Sequence, residues 1–152
     1  MYLIHGTTYD YIKEILKTNV LLSSKITGNL NEGSGIYTSN PFVFMGTTPN
    51  MPDNKLFGEV FIYLDPSILY NRVFFINNEH VSDPEKSGKK YKRYNKNINK
   101  ILNDTYKKSL KLPDRKAFQI FQQIAIKNKI NIAKYILAIY YPRENKIDFF
   151  KK

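Results

Sequence analysis

Apolar residues in this 152-residue chain occur in short runs that are rich in β-branched and aromatic side chains. The longest is the seven-residue run Tyr135–Tyr141, and none approaches the roughly 20 residues that a helix needs to span a bilayer. Short runs of this composition are typical of strands. We therefore expect a soluble protein that contains several strands and has no membrane partner.

The composition restricts the chemistry. The chain has no Cys, which excludes a disulfide scaffold, a thiol nucleophile and a thiolate zinc site. Because it has only two His residues, His5 and His80, we expect no metal cofactor. The N-terminus lacks a basic segment followed by a long apolar one, so it does not fit a signal peptide. These features predict a single intracellular domain, in the cytoplasm, the nucleus or a host cell.

Positive charge dominates the chain. Lys and Arg number 24 against 13 Asp and Glu, which gives a formal net charge of +11. A field of this sign attracts nucleic acids, nucleotides and acidic lipids. An adaptation for solubility in a Lys-rich proteome explains the same excess, and both interpretations stay open.

The first quarter of the chain carries clear local signals. Met1–His5 is predicted to be a strand that Gly6 and the two Thr after it interrupt. Thr8 is a suitable N-cap for an amphipathic helix at Tyr9–Lys17, and Val20–Leu22 should be extended.

Further along, the order of elements indicates an α+β fold in one domain over residues 1–152, with a basic insertion around residues 77–112. Asp114–Lys127 fits a helix and a strand equally well, because its apolar residues match both periodicities. The remaining predicted elements are an extended Ile36–Ser39, a helix starting at Asn40-Pro41, strands at Glu59–Asp65, Arg72–Ile76 and Tyr135–Tyr141, a polar loop at Asn77–Gly88 and a helix at Asn97–Leu110.

Two short motifs point to chemistry. His5-Gly6-Thr7 stands where a strand turns into a helix, and Gly33–Ser39, with Tyr37 near its centre, is a glycine loop that feeds a short extended segment. A strand-terminal His and a Tyr presented from a Gly-rich turn can form a slot for a planar ligand with an adjacent sugar hydroxyl. A packed His and a core Tyr are the structural alternatives, since the chain has twelve Tyr.

At these motifs the sequence resembles ADP-ribosyltransferases of the poly(ADP-ribose) polymerase and diphtheria-toxin type. His5-Gly6-Thr7 matches the family's H-G-[ST], and Gly33–Thr38 matches its G-x-G-[IV]-Y-[FT]. Gly58-Glu59-Val60 is similar to the family's next strand. The resemblance covers Met1–Asp65 well and about the last thirty residues loosely. It implies a split β-sandwich flanked by helices.

The resemblance also implies roles for individual residues. NAD would bind as a substrate in a cleft between two sheets, without a metal. His5 would bond a ribose hydroxyl, the main chain of Gly6 would hold the nicotinamide carboxamide, and Tyr37 would stack on the nicotinamide ring. Thr7 and Gly35, in the same motifs, would line the NAD site. Phe44 is a candidate for a second stacking aromatic, with core packing as its alternative.

The third family residue, usually Glu, departs from the pattern. Gln122 occupies its position, 13 residues before Tyr135. An amide bonds a ribose hydroxyl but offers no full negative charge to an oxocarbenium-like transition state. This departure favours mono-ADP-ribosyl transfer, altered chemistry or NAD binding without turnover over polymer formation. It holds only where Asp114–Lys127 is a strand; in a helix Gln122 would be a surface amide.

The basic stretch Lys86–Lys100 contains seven basic residues and no acidic one. Tyr91 and Tyr94 alternate there with basic residues that suit a nucleic-acid acceptor, namely Lys89, Lys90, Lys92 and Arg93. A solvated, mobile loop is the alternative.

Three functions compete on these grounds. The leading prediction is an NAD-dependent (mono-)ADP-ribosyltransferase, a glycosyltransferase acting on a protein or nucleic-acid acceptor. The second is a catalytically inactive module of the same fold that binds NAD, ADP-ribose or nucleic acid. The third is a small basic nucleic-acid-binding protein with no nucleotide cleft.

Overall fold

A computed structural model describes residues 1–23, 41–47, 52, 57–77, 83–111 and 123–150. These residues form a mixed α+β structure, which confirms the predicted fold class. Its strands are β1 Leu3–Thr7, β2 Val20–Leu22, β3 Phe42–Gly46, β4 Val60–Leu64, β5 Phe74–Asn77, β6 Lys89–Tyr91, β7 Gln123–Lys127, β8 Lys129–Asn131, β9 Ile136–Tyr141 and β10 Lys146–Phe149. Its α-helices are α1 Tyr9–Thr18, α2 Pro84–Ser87 and α3 Lys96–Leu110, and Pro66–Leu69 and Pro142–Glu144 are 3-10 helices.

Eight strands form one large sheet in the order β10-β9-β4-β1-β3-β7-β5-β6, and β2 pairs with β8 in a small second sheet. Every strand pair between described residues is antiparallel. The large sheet is narrowest at its centre, where β1 and β3 pair only at Ile4 and Gly46. By contrast, β1 pairs with β4, and β3 with β7, over five residues each. The sheet therefore consists of two four-stranded halves with a short join between them.

The two faces of the large sheet bury different clusters. One face carries the main core, to which the sheet contributes residues such as Leu3 and Ile62, and α1 and α3 contribute Ile12 and Leu102. Alternate residues of the same strands point to the opposite face, where Ile4 and Phe61 form one small cluster and a second lies on the other half of the sheet. The members of this second cluster are Phe42, Phe44, Phe75 and Ala125.

The helix predicted at Tyr9–Lys17 is confirmed, with Thr18 as one further residue. The Thr8 side chain caps it by accepting a hydrogen bond from the Tyr11 N–H, at 3.4 Å. It ends at Asn19, which adopts a left-handed conformation with φ 56° and donates its N–H to the Ile15 carbonyl. The predicted helix Asn97–Leu110 is also confirmed, and the Asn95 side chain caps it.

Two predictions about local structure are wrong. β1 does not end at His5, because Gly6 and Thr7 continue the pairing with β4. The predicted helix at Asn40-Pro41 is replaced by β3, since five residues after Pro41 pair with β7. In both places pairing with a distant strand overrides a local signal.

Other predictions hold or shift slightly. The strands predicted at Val20–Leu22, Glu59–Asp65, Arg72–Ile76 and Tyr135–Tyr141 correspond to β2, β4, β5 and β9. Asn77–Gly88 was predicted to be a polar loop, but its last part forms the short helix α2, which the Asp83 side chain caps. Of Asp114–Lys127, the last five residues form a strand, β7. Ile36–Ser39 and residues 114–122 lie outside the described residues. In the described ranges, no helix is both long enough and apolar enough to span a membrane.

Candidate functional site

His5 lies at the narrow join of the large sheet. It stands on β1 opposite Ile62 of β4, so its side chain points to the face of the main core. The residue is 8% exposed. Its Nδ1 lies 2.8 Å from the carbonyl oxygen of Phe44 on β3. The His5 side chain thus connects the two halves of the sheet.

This contact replaces main-chain pairing. Since β1 and β3 pair only at Ile4 and Gly46, the strands separate on the side where His5 and Phe44 lie. The Phe44 carbonyl can only accept, so Nδ1 carries the proton and donates it. In the neutral ring Nε2 then holds a lone pair. The sheet therefore fixes the ring and leaves Nε2 as a hydrogen-bond acceptor at the join.

Gly6 is required by a close contact with the chain that precedes β4. A Cβ at Gly6 would lie 1.6 Å from the carbonyl oxygen of Phe57, a separation at which no side chain fits. The Thr7 carbonyl accepts a 2.8 Å hydrogen bond from the Glu59 N–H and so faces β4. Because successive residues of an antiparallel strand direct their main-chain groups to alternate sides, the N–H and C=O of Gly6 face β3, beyond the last β1–β3 pair.

Thr7 adds a buried hydroxyl to the same region. It is 2% exposed and, two residues after His5, points to the same face of the sheet. Its Oγ1 has no hydrogen-bond partner among the described residues. A buried hydroxyl without a partner costs about 1–3 kcal/mol. A polar group of a ligand could remove that cost.

Phe44 contacts His5 through its carbonyl and not through its ring. The ring belongs to the cluster on the opposite face and lies 6.3 Å from the Phe42 ring, centroid to centroid. Its stacking role stays a prediction. The other predicted site residues, Tyr37, Gly35 and Gln122, lie outside the described residues.

Gln123, directly after Gln122, opens β7 and is 1% exposed. It faces away from the main core, because Ile124 points into it. Its Oε1 accepts a 3.5 Å hydrogen bond from Asn77 Nδ2 on the neighbouring strand β5. Gln123 therefore has a structural role on the face opposite to His5.

A polar network that the sequence did not suggest holds the start of α1 just after the motif. The Glu59 carboxylate accepts from the Tyr9 N–H at 3.2 Å and from Arg143 Nη2 at 2.8 Å. The Tyr9 hydroxyl donates to Glu144 Oε2 at 2.6 Å, and the Arg143 guanidinium lies 4.5 Å from the Tyr9 ring centroid. These contacts tie α1 to the start of β4 and to the β9–β10 turn. The sequence contains no local pattern that predicts these contacts, because the partners are 50 to 135 residues apart.

The predicted nucleic-acid-binding residues lie at the far edge of the other half of the sheet. Lys89 and Lys90 are on the edge strand β6, and Lys92 and Arg93 follow in the bend before α3. All four are exposed. Their role in nucleic-acid binding stays a prediction.

The described residues contain no group of three or more His, Asp or Glu that could hold a metal ion. No family model matches the chain, and no curated protein or solved structure is significantly similar to it. The contacts described above define the candidate site, which consists of the His5–Phe44 hydrogen bond, the Gly6 main chain and the Thr7 hydroxyl.

Proposed function

We propose that the chain is an NAD-dependent mono-ADP-ribosyltransferase with a split β-sandwich fold, and that NAD binds at the join between the two halves of its sheet. The observation that carries the proposal is the His5–Phe44 hydrogen bond. It holds an imidazole at the point where two half-sheets separate and leaves its Nε2 for a ligand. Any buried His pairs its ring nitrogen, so the support comes from where this bond lies, which is between the two half-sheets beyond their last main-chain pair.

The groups around His5 suit the two ends of a nicotinamide nucleoside. A ribose hydroxyl would donate to His5 Nε2. A carboxamide both donates and accepts, so it would match the N–H and C=O of Gly6, which face the same side of β1. The buried Thr7 hydroxyl would find a polar partner in the same ligand. The motif His5-Gly6-Thr7 thereby supplies three kinds of hydrogen-bonding group within one strand.

The reaction itself breaks one bond and forms another. Nicotinamide leaves ribose C1 with the electron pair of the glycosidic bond, and positive charge develops on the ribose. A nucleophilic oxygen or nitrogen of the acceptor then bonds to C1 and loses its proton. Tyr37 would hold the leaving ring by stacking, and Gln122 would bond a hydroxyl of the reacting ribose. Because Gln122 adds no negative charge, we expect slow transfer of single ADP-ribose units.

Gln122 also favours a second candidate, which is an NAD-binding module without turnover. It would use the same His5 and Gly6 contacts and would lack only the stabilisation of the oxocarbenium-like transition state. The two candidates differ in one measurable product, free nicotinamide.

Two substitutions at His5 separate its structural contact from its proposed ligand contact. In His5→Asn, the side-chain N–H₂ takes the place of Nδ1, so the bond to the Phe44 carbonyl is kept and the acceptor is lost. In His5→Gln, the longer amide places an acceptor near the position of Nε2 and gives up the bond to Phe44. We expect His5→Asn to keep its stability and to lose NAD affinity by about 2- to 12-fold. His5→Gln should lose stability and keep more of the affinity.

The decisive experiment is incubation with NAD labelled in the nicotinamide, with binding and nicotinamide release measured for wild type and both variants. Release by the wild type that increases when a nucleic-acid or protein acceptor is added supports the transferase, because the acceptor then takes the bond to ribose C1. Binding without release supports the inactive module. NAD binding that is absent, or equal in wild type and His5→Asn, would contradict both.

A further inference from the structure

A pair of tyrosines stands on the surface at the basic end of the sheet. Tyr70 follows the 3-10 helix before β5, and its ring centroid lies 5.2 Å from that of Tyr94, with 31° between the ring planes. Tyr94 is the inner ring: it packs against the main core and donates its hydroxyl to Asn99 Oδ1 at 2.7 Å. Tyr70 is the outer ring and is 53% exposed. A fixed aromatic ring thus supports an exposed one.

Basic residues flank Tyr94 in the chain. Tyr91 stacks on Phe74 at 5.5 Å with an interplanar angle of 17°, three residues before Tyr94 meets Tyr70. The intervening residues Lys92 and Arg93 therefore lie in a short segment that aromatic contacts anchor at both ends, and both side chains are exposed.

The charge continues on both sides of the bend. On the edge strand β6, Lys89 lies on the main-core face with Tyr91, and its Nζ is 5.6 Å from the Tyr91 ring centroid. Lys90 is opposite Phe75 and points to the other face of the sheet. Lys96 and Lys100 are one turn apart on α3, which puts them on one face of the helix. The sequence has no acidic residue between Lys86 and Asp104. In the described ranges, the salt bridges involve other basic residues, namely Lys86, Lys127, Arg143 and Lys146. Without Lys90, the five basic residues that flank the tyrosine pair therefore keep their charge available to a partner, and they are Lys89, Lys92, Arg93, Lys96 and Lys100.

We propose that this surface binds a single-stranded polynucleotide, with one base stacked on Tyr70 and the backbone phosphates on the five basic side chains. An exposed ring with cations on both sides is the arrangement that suits unpaired bases and their phosphates. In a duplex the bases stack on each other, so Tyr70 would have no base to contact. Phosphate contacts alone would need no aromatic pair. The binding surface lies beyond the NAD site and does not depend on it.

The stacking contact is tested by fluorescence anisotropy with labelled single-stranded RNA and DNA of about 12 nucleotides, against duplexes of the same sequence and vesicles containing phosphatidylserine. Tyr70→Ala should weaken single-strand binding by about 5- to 150-fold, and Tyr70→Phe should retain it. The matched control is Tyr2→Ala. Tyr2 is 49% exposed and contacts another ring, Tyr63, at 6.1 Å, but it belongs to the other half of the sheet.

The charge contact is tested by the salt dependence of the same binding. If five cations contact phosphates, the log–log slope for single strands is about −3.5 at most. Replacing Lys92 and Arg93 together by Ala should make the slope shallower by about 1.4, while the double change Lys13→Ala and Lys17→Ala on α1 should leave it unchanged.

Two results together support the proposal. The protein binds single strands more tightly than duplexes and vesicles, and this affinity falls only in the Tyr70→Ala and Lys92/Arg93 variants. Equal binding of duplexes overturns the base-stacking contact. Preferential binding of vesicles, equal losses in the Tyr2 control, or no binding of any polyanion overturns the proposal as a whole. Circular dichroism of each variant establishes that it is folded, since Tyr70 lies on the surface and its truncation removes little buried area.

Discussion

Gly6→Ala is the most direct test of the contact that shapes the site. The added Cβ would meet the Phe57 carbonyl at 1.6 Å, whereas real Cβ contacts essentially never fall below 3.0 Å. The two backbones must therefore move apart by at least about 1.4 Å, the difference between these two distances. Such a movement pulls β1 away from the segment before β4, where Thr7 accepts from the Glu59 N–H at 2.8 Å.

The cost follows from these two effects. Forcing an extra carbon into a filled position costs about 1–3 kcal/mol, and a broken main-chain hydrogen bond adds about 0.5–1.5 kcal/mol. We expect Gly6→Ala to lower the free energy of unfolding by about 2–4 kcal/mol. For a chain of this size the melting temperature should fall by about 4–16 °C.

Urea denaturation followed by circular dichroism measures this loss. Gly58→Ala is the companion variant, because Gly58 has φ +139° and its Cβ would lie 2.8 Å from the Thr7 nitrogen. Both changes separate the same two backbones, so the double variant should lose less than the sum of the single losses. A Gly6→Ala protein within 0.5 kcal/mol of the wild type would refute the reasoning, because the described approach of Phe57 could not then exist.

Three further outcomes are expected. Tyr37→Ala should weaken NAD binding by about 1–3 kcal/mol and Tyr37→Phe should retain most of it, by analogy with base stacking; equal losses by calorimetry would show that the hydroxyl matters and the ring face does not. Gln122→Glu should increase nicotinamide release, because a carboxylate stabilises the developing oxocarbenium ion, while Gln119→Glu serves as the control; no response from Gln122→Glu places the charge-stabilising residue elsewhere. The pKa of Tyr94 is raised to about 12, first by burial and then by the nearby Tyr70, from 10.0 in the unfolded chain. Stability should therefore fall as the pH rises from about 10 to about 12, and less so in Tyr94→Phe; identical pH profiles would contradict this origin.

Elements with strong local signals were predictable from the sequence. Thr8 was recognisable as a cap, and the β-branched and aromatic run within Glu59–Asp65 was recognisable as a strand, because both signals lie within a few residues. The face of Gln123 followed from simple alternation, since a strand that buries Ile124 must turn Gln123 away. Its burial against Asn77 did not follow, and it makes Gln123→Glu unsuitable as a control for Gln122→Glu.

What the sequence could not show depends on contacts between distant residues. β3 was mistaken for a helix because Asn40-Pro41 fits a helix start, while its pairing partner β7 lies about 80 residues later. The proposed role of Tyr70 could not be inferred for a similar reason, since it depends on the contact of its ring with that of Tyr94. The Phe44 carbonyl as the partner of His5 could not be predicted either, because it requires the exact place at which two strands separate.

The strand order has a consequence for the synthesis of the chain. The interior strands β7 and β9 both come from the last thirty residues. Among the described strands, β7 alone lies between β3 and the paired strands β5 and β6. When residue 122 leaves the ribosome, β1 can pair with β3 and β4. The outer edges of β3 and β4 still have unpaired main-chain groups, because their partners β7 and β9 have not yet been made. At about 5–20 residues per second, that intermediate persists for seconds before β9 emerges. A chain cut before β7 is therefore expected to expose the edges of β3 and β4 and to aggregate. A chain that loses only the edge strand β10 keeps β3 and β4 paired and should stay in solution.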